Sequence, residues 1–185
     1  TFNEAAPTTL FVFKTANETH VGNIVYMKVM SGELAEGMDV VNSTNEGKER
    51  IAQIFVNSGK TRTKIEKAAA GDIISTIKLK DVSTNDTLTS TKNIGDKLNE
   101  IKFPEPIYTT AIKAVDSADD EKLGMVLNEY ASNDCSLKVE IARELKQTII
   151  SAMGEYHVNT LKWYLDHVYK IPVELFAPKI PYRET

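Results

Sequence analysis

Phe103-Pro104-Glu105-Pro106 is the stretch on which the reading of this chain turns. Two prolines flanking a single residue hold the backbone extended, and neither a helix interior nor a central strand tolerates them. The residues before it, Thr91-Lys92-Asn93 and Gly95-Asp96, carry turn chemistry and no hydrophobic period. The text on either side follows different rules. Residues 92–106 therefore read as a linker between two domains, 1–91 and 107–180.

Upstream, short β-rich runs alternate with glycine turns, the pattern of an all-β sandwich or barrel. The runs are 10–15, 21–30, 38–42, 48–57, 72–79 and a short one near 87–89. Between them lie Ser31-Gly32, Glu36-Gly37, Asn45-Glu46-Gly47, Ser58-Gly59 and Ala70-Gly71. In the long run, Ile24, Tyr26, Lys28 and Met30 alternate with Val25, Met27 and Val29. Both faces are substantially apolar, as in a curled strand that is buried inside and partly covered outside. No ten-residue amphipathic helix is present, and 65–70, with three alanines, makes one helical turn at most. The expected fold is an antiparallel β-barrel.

Downstream, strand and helix periods alternate. Residues 107–115 read as a strand. Ser117 occupies an N-cap position, and Asp119, Asp120 and Glu121 crowd the positive end of the helix that follows. Leu123, Val126, Leu127, Tyr130 and Ala131 recur at helical spacing, to an end near Asn133. Leu137, Val139 and Ile141 alternate with Lys138 and Glu140 as a half-buried strand, and 147–153 gives another that ends at Gly154. A second helix runs over 155–169 with Val158, Leu161, Leu165 and Val168 as its stripe, until Pro172 stops it. Ile171, Val173 and Leu175 supply a last strand. The order β-α-β-β-α-β is that of a ferredoxin-like α+β domain, with both helices on one face of an antiparallel sheet.

Composition narrows the function. The 185 residues are 42% hydrophobic and 26% charged, ordinary for globular domains. No apolar run approaches the roughly 20 residues of a membrane span. The chain starts at Thr1 with neither a signal nor a transit pattern. Its single cysteine, Cys135, excludes an internal disulfide and a multi-thiolate metal site. A cytoplasmic protein without membrane attachment is expected. The net charge of -4 argues against a surface that grips nucleic acid everywhere. Residues 46–67, however, hold Lys48, Arg50, Lys60, Arg62, Lys64 and Lys67 against Glu46, Glu49 and Glu66, six minus three, a local excess of three positive charges. A nucleic-acid-facing patch and a solvated loop of mixed charge both fit this window.

Motifs for catalysis are wanting. Gly59-Lys60-Thr61 ends like a phosphate-binding loop, but position 54, where that loop needs glycine, is Ile. A hairpin turn is the better reading. His20, His157 and His167 lack metal-pair spacing, and no serine or cysteine nucleophile has a base near it in sequence. The helix dipole alone explains Asp119-Asp120-Glu121. A phosphatase of this fold needs an Arg-bearing loop after the first strand, and here Val115-Asp116-Ser117-Ala118-Asp119 would repel phosphate. Tyr156, Trp163, Tyr164 and Tyr169 on the second helix suit base stacking, but at least half of them are expected in the helical core. No catalytic, metal or cofactor residue is expected; the residues read as a non-enzymatic two-domain module.

Gln147-Thr148-Ile149-Ile150-Ser151-Ala152-Met153-Gly154-Glu155-Tyr156-His157 resembles the third domain of the elongation factor G family, worded Gly-Gln-Thr-Ile-Ile-Ser-Gly-Met-Gly-Glu-Leu-His. The barrel half agrees. Phe11-Val12-Phe13-Lys14, Val21-Gly22-Asn23-Ile24, Val29 to Leu34, Lys48-Glu49-Arg50-Ile51 and Ala70-Gly71-Asp72-Ile73 fall in the order of that family's second domain. Pro181-Tyr182-Arg183-Glu184-Thr185 is similar to the opening of its fourth domain.

The resemblance implies a piece of a translational GTPase that promotes ribosomal translocation. GTP and magnesium would belong to a nucleotide-binding domain before these residues. The partners implied are small-subunit ribosomal RNA and proteins, the chain's own GTP-binding and fourth domains, and no second copy, so a monomer is expected. By position, Val21, Gly22, Lys48, Arg50, Lys60, Arg62 and Lys64 fall on the RNA-facing barrel surface. His157 and Leu161 match the interdomain seam that lines the family's fusidic acid pocket, with plain packing as the other reading. Departures include Asn23 for the family's Arg, Ala152 for Gly, Tyr156 for Leu, Asn159 for an acidic residue, Cys135 for Pro and Lys146 for Gly, as in a divergent paralogue. A ribosome-protection factor of the tetracycline-resistance type is the alternative.

Overall fold

The computed structural model describes residues 6–18, 21–59, 61–90, 97–142, 145 and 147–179. The sequence readings at His20, Lys60, Lys146, 92–96 and 181–185 lie outside them. The chain divides into two compact units, Thr1–Ile101 and Lys102–Thr185.

The first unit is all β. Its strands are β1 (Thr9–Glu18), β2 (Gly22–Ser31), β3 (Glu33–Ala35), β4 (Met38–Asn42), β5 (Lys48–Ile51), β6 (Ile54–Ser58), β7 (Thr61–Ile65), β8 (Lys67–Ala69), β9 (Ile73–Ile77) and β10 (Thr87–Ser90). Eight form one curled sheet in the order β5-β4-β10-β1-β2-β9-β6-β7, and β3 pairs with β8 as a separate ribbon. All of the pairings are antiparallel. The turn at Glu36-Gly37 ties the two ends of the sheet together. Glu36 N–H donates to the Glu66 carbonyl at 2.9 Å and Gly37 N–H to the Ile51 carbonyl at 2.7 Å. Val12, Met27, Leu34, Ile51, Ile54, Ala68, Ile74 and Leu88, from eight different strands, share one core. A single sheet rolled around its own apolar face is the barrel expected from the two-sided β2 run: Val25, Met27 and Val29 are fully buried, and Tyr26, Lys28 and Met30 are half-buried.

Three features here depart from the sequence reading. The run 48–57 is two strands: β5 pairs with β4, whereas β6 pairs with β7 and β9. The break falls at Ala52-Gln53, where the Gln53 carbonyl accepts from Thr76 Oγ1 at 2.7 Å and no turn residue marks the corner. The supposed helical turn at 65–70 is strand β8, because Ala68 is buried in the core and the segment pairs with β3. Burial and pairing override the alanine propensity. Strand β7 is largely exposed and polar, so it has no hydrophobic period to read.

The second unit has strands β11 (Tyr108–Ala114), β12 (Lys138–Ala142), β13 (Gln147–Ala152) and β14 (Val173–Phe176), with helices α1 (Asp120–Asn133) and α2 (Glu155–Tyr164). The antiparallel sheet runs β12-β13-β11-β14, so the element order is the β-α-β-β-α-β expected. Ile112 and Ala114 of β11, Ile150 and Ala152 of β13, and Val173 of β14 share a core with Leu123, Val126 and Leu127 of α1 and Val158 and Leu161 of α2. Both helices therefore cover one face. The other face carries cross-strand polar pairs: Lys113 with Glu174 at 2.9 Å, and Thr109 with Ser151 at 3.0 Å.

Details of this unit correct the sequence reading at three places. The cap before α1 is Asp116, not Ser117: its carboxylate accepts from Ala118 N–H at 3.0 Å and opens a 3-10 turn, Ser117–Asp119, that leads into the helix. Past α2 the helix widens into a π turn, Leu165–Tyr169, and ends at Lys170 in the left-handed region (φ 58°). The widening shifts the stripe by one residue. Val168, expected in the core, is 53% exposed, and Tyr169 packs on the core instead. Ile141, expected half-buried, is exposed at the end of edge strand β12.

Candidate functional site

Four of the basic residues singled out in the sequence lie on the two end strands of the sheet. Lys48 and Arg50 alternate along β5, and Arg62 and Lys64 alternate along β7. On β7 Ile65 packs on the core, so strand alternation places Arg62 and Lys64 on the face away from it. The β6–β7 hairpin closes with Ser58 opposite Thr61, and Gly59 takes a left-handed φ of 58°. Gly59 and Thr61 thus lie at the tip of a hairpin.

These cations do not stand free. Arg62 Nη2 reaches both carboxylate oxygens of Glu18 at 3.1 Å, and its guanidinium lies 6.0 Å from the Phe55 ring centroid. Lys64 pairs with Glu36 at 2.8 Å, Lys67 with Glu33 at 2.7 Å, and Arg50 lies 4.0 Å from Asp39. Contact with Glu33 raises the Lys67 ammonium above its ordinary value, chiefly through their hydrogen bond. All four carboxylates come from outside residues 46–67, so the excess of three charges counted along the sequence is offset in three dimensions. Lys48 is exposed on β5.

Between the β1–β2 turn and the β6–β7 hairpin is a cavity of about 320 Å³, lined by Glu18, Tyr26, Asn57, Gly59, Thr61 and Arg62. Its lining is mainly polar. Asn57 Oδ1 accepts from Ser75 Oγ at 3.0 Å, and Lys14 Nζ sits 5.9 Å from the centroid of the Tyr26 ring. The buried Arg62 Nε and Asn23 Oδ1 have no hydrogen-bond partner among the described residues. Val21 and Gly22 form the adjoining turn: Val21 N–H donates to the Glu18 carbonyl at 3.1 Å, Gly22 has φ 86°, and nothing lies within 4 Å of where a Gly22 side chain would begin. The structure gathers Val21, Gly22 and Arg62 at one end of the barrel. Glu18, Tyr26 and Asn57 escaped the sequence reading because nothing in their local spacing announces that they converge.

In the second unit, His157 stands on the first turn of α2. Its Nε2 lies 3.0 Å from Asp134 Oδ2, and Met153 N–H donates to its Nδ1 at 3.5 Å. The other Asp134 oxygen, Oδ1, accepts from Ser136 N–H and Oγ at 2.9 and 2.6 Å. One carboxylate thus ties the end of α1 to the start of α2. Leu161, one turn further along, is 1% exposed and lies in the core. The two residues read together from the sequence therefore differ in degree: His157 is half-buried, with 18% of its side chain exposed, and Leu161 is fully packed.

The aromatic residues of α2 are mostly outside the core, contrary to expectation. Tyr156 is 86% exposed, Trp163 52% and Tyr164 41%. Trp163 stacks on His167 with centroids 4.8 Å apart and meets Tyr164 edge-on. Tyr130 and Tyr169 lie deeper, and burial raises both phenols above their usual value, with smaller contributions from Asp134 and Glu129 respectively. Among the described residues, no three His, Cys, Asp or Glu side chains form a metal-binding group, and no helix is long and apolar enough to cross a membrane.

Comparison with known proteins accounts for both units. Residues 7–91 match the family described as Elongation factor G domain 2, and residues 103–177 match Elongation Factor G, domain III. Elongation factor G from Rhodopseudomonas palustris (strain BisB18) is 37% identical over 182 residues, covering 98% of this chain and 26% of that protein. A crystal structure from Thermus thermophilus superposes with a TM-score of 0.82 at 27% identity, over 96% of this chain and 27% of that one. The chain thus spans about a quarter of the length of these relatives. It belongs to the elongation factor G family, of which it carries the second and third domains.

Proposed function

We propose that this chain is the ribosome-contacting and relay portion of a translational GTPase that promotes translocation. The observation that carries the reading is the match of both domains, in order, across 98% of the chain to an elongation factor G. In this reading GTP and magnesium are held by a nucleotide-binding domain outside these residues. The barrel and the α+β domain act as rigid bodies whose placement follows the nucleotide state. The protein works as a cytoplasmic monomer.

The barrel end formed by Val21, Gly22, Arg62 and Lys64, with Lys48 and Arg50 on β5, faces small-subunit ribosomal RNA. Asn23 stands where the family usually offers an arginine, and the guanidinium at this turn comes from Arg62 of β7, held by Glu18. A planar cation is thereby kept beside the turn, with its charge partly neutralised until phosphate competes for it. At the seam of the second domain, His157 supplies the surface contact, and Leu161 sets the position of α2 from beneath.

The test is co-sedimentation of the full-length protein with ribosomes, with and without a non-hydrolysable GTP analogue. Pelleting that strengthens with the analogue is expected. No pelleting in either state would overturn the reading.

A further inference from the structure

Two side-chain amides do the same unusual thing, one in each domain. Asn85 grips Ile101 at both ends of one residue: its Nδ2 donates to the Ile101 carbonyl at 2.9 Å, and its Oδ1 accepts from Ile101 N–H at 3.0 Å. Gln147 grips Lys179 identically, Nε2 to the Lys179 carbonyl at 2.9 Å and Lys179 N–H to Oε1 at 3.0 Å. A primary amide paired both ways with one residue's backbone imitates a rung of a β-ladder. In both cases the gripped residue lies past the last strand of its domain, on the chain's way out.

Each gripping residue is itself fixed. Asn85 sits in the left-handed region (φ 80°), which asparagine tolerates better than most residues, and its own N–H donates to the Val12 carbonyl of β1 at 2.8 Å. Next to it, Asp86 Oδ2 accepts from Ser83 N–H at 2.8 Å and from the fully buried Asn42 at 2.7 Å, which holds the turn rigid. Gln147 is buried at the start of β13, on the helix-free face of the sheet. Strand β11 separates β13 from β14. To meet Gln147, residues 177–179 must therefore leave the edge strand and cross that face. At the end of β14, Thr110 Oγ1 donates to the Phe176 carbonyl at 3.0 Å.

We propose that Asn85 and Gln147 are exit clamps, which fix the point and the direction at which the chain becomes free of each domain. In the first domain the free tether starts after Ile101, not at the end of β10. The second domain takes hold again at Ile107, whose N–H donates to the Ala152 carbonyl at 3.1 Å, and Glu105 before it pairs with Lys138. Only Lys102-Phe103-Pro104-Glu105-Pro106 lies between the two grips, and its prolines stiffen it. Without Asn85, the nearest anchor is Leu98, whose N–H donates to Thr87 Oγ1 at 3.1 Å. Three residues join the tether, adding about 10 Å of reach. In the second domain, Gln147 decides that the chain departs across the sheet rather than straight on from β14. The clamps convert loose connections into short, directed ones, which a relay between rigid bodies requires.

Amide hydrogen exchange on the whole chain, resolved by residue, tests this. In the wild type, the Ile101 and Lys179 amides are expected to exchange well below the rate of an unstructured peptide. Asn85→Gly keeps the left-handed backbone and removes the amide, and Gln147→Met keeps the buried volume. Each should speed exchange at its own gripped residue by about tenfold to a hundredfold, as two net hydrogen bonds imply. Asn85→Asp and Gln147→Glu set a carboxylate oxygen against the gripped carbonyl and should lose protection as well. Unprotected Ile101 and Lys179 amides in the wild type would overturn the proposal. So would protection that is unchanged in Asn85→Gly and Gln147→Met.

Discussion

Truncating Leu161 to alanine separates the two readings of the α2 residues. Leu161 is 1% exposed, and its core neighbours include Leu127, Ile150, Val158 and Leu165. Burying a leucine is worth about 1.5–3 kcal/mol, and the void left by truncation adds to the loss, so Leu161→Ala should cost about 2–5 kcal/mol. A domain of this size holds roughly 4–12 kcal/mol in all. With a urea dependence of about 1 kcal/mol per molar, the midpoint should fall by about 2 M or more. Trp163 is the sole tryptophan and lies on α2, so its fluorescence reports this domain alone. His157→Gln is the control: its contact with Asp134 joins half-buried side chains and amounts to one hydrogen bond, about 1 kcal/mol. A Leu161→Ala loss below about 0.5 kcal/mol, the range of ordinary surface changes, would refute the placement of Leu161 in the core and make it a free surface position of the seam.

Further outcomes follow from the same geometry. Burial raises the Tyr130 and Tyr169 phenols above 10.0, so the unfolded chain gives up these protons first; stability is intact below pH 10.0, falls as pH rises through the folded values, and falls less in Tyr130→Phe, as urea midpoints read by Trp163 will show. Gly32→Ala sets a Cβ 2.7 Å from Thr8 Cα and Ala6 O at a φ of 72°, and should lower the melting temperature by circular dichroism far more than Gly59→Ala, which has open space and loses only about 1–2 kcal/mol of left-handed strain. Lys48→Ala should weaken ribosome binding evenly and flatten its log-log salt dependence by about one ion, whereas Glu18→Gln, by freeing the Arg62 fork, should steepen it; unchanged salt slopes in both variants would count against an RNA-facing barrel end.

Local patterns told most where a period was kept long enough to read. The stripe of α2 held through Val158, Leu161 and Leu165, and failed at Val168, where the backbone widened by a fraction of a turn that no residue type signals. Strand β8 failed for the opposite reason. Its alanines state a local preference that pairing with β3 overrules. Glycine turns marked the barrel strands well, but the corner at Ala52-Gln53 has neither glycine nor proline, because a contact from Thr76 makes it. Strand β8 and the corner at Ala52-Gln53 are thus set by contacts distant in sequence, and the π turn by a backbone change that the residue pattern does not carry.

The candidate surfaces show the same limit in electrostatic form. Counted along the sequence, residues 46–67 look cationic; in the folded chain Glu18, Glu33, Glu36 and Asp39 arrive from β1, β3, the turn after β3 and β4 to meet Arg62, Lys67, Lys64 and Arg50. Exposed pairs of this kind contribute little to stability, about 0–1 kcal/mol each. Their consequence lies in recognition. A cation already paired at 3.1 Å does not attract polyanions indiscriminately, which accords with a net charge of -4, but it can exchange its carboxylate for a phosphate presented in the right place. If the barrel end meets RNA as proposed, specific contact and low non-specific affinity come from one arrangement, and the carboxylates that sequence counting leaves out make the surface selective.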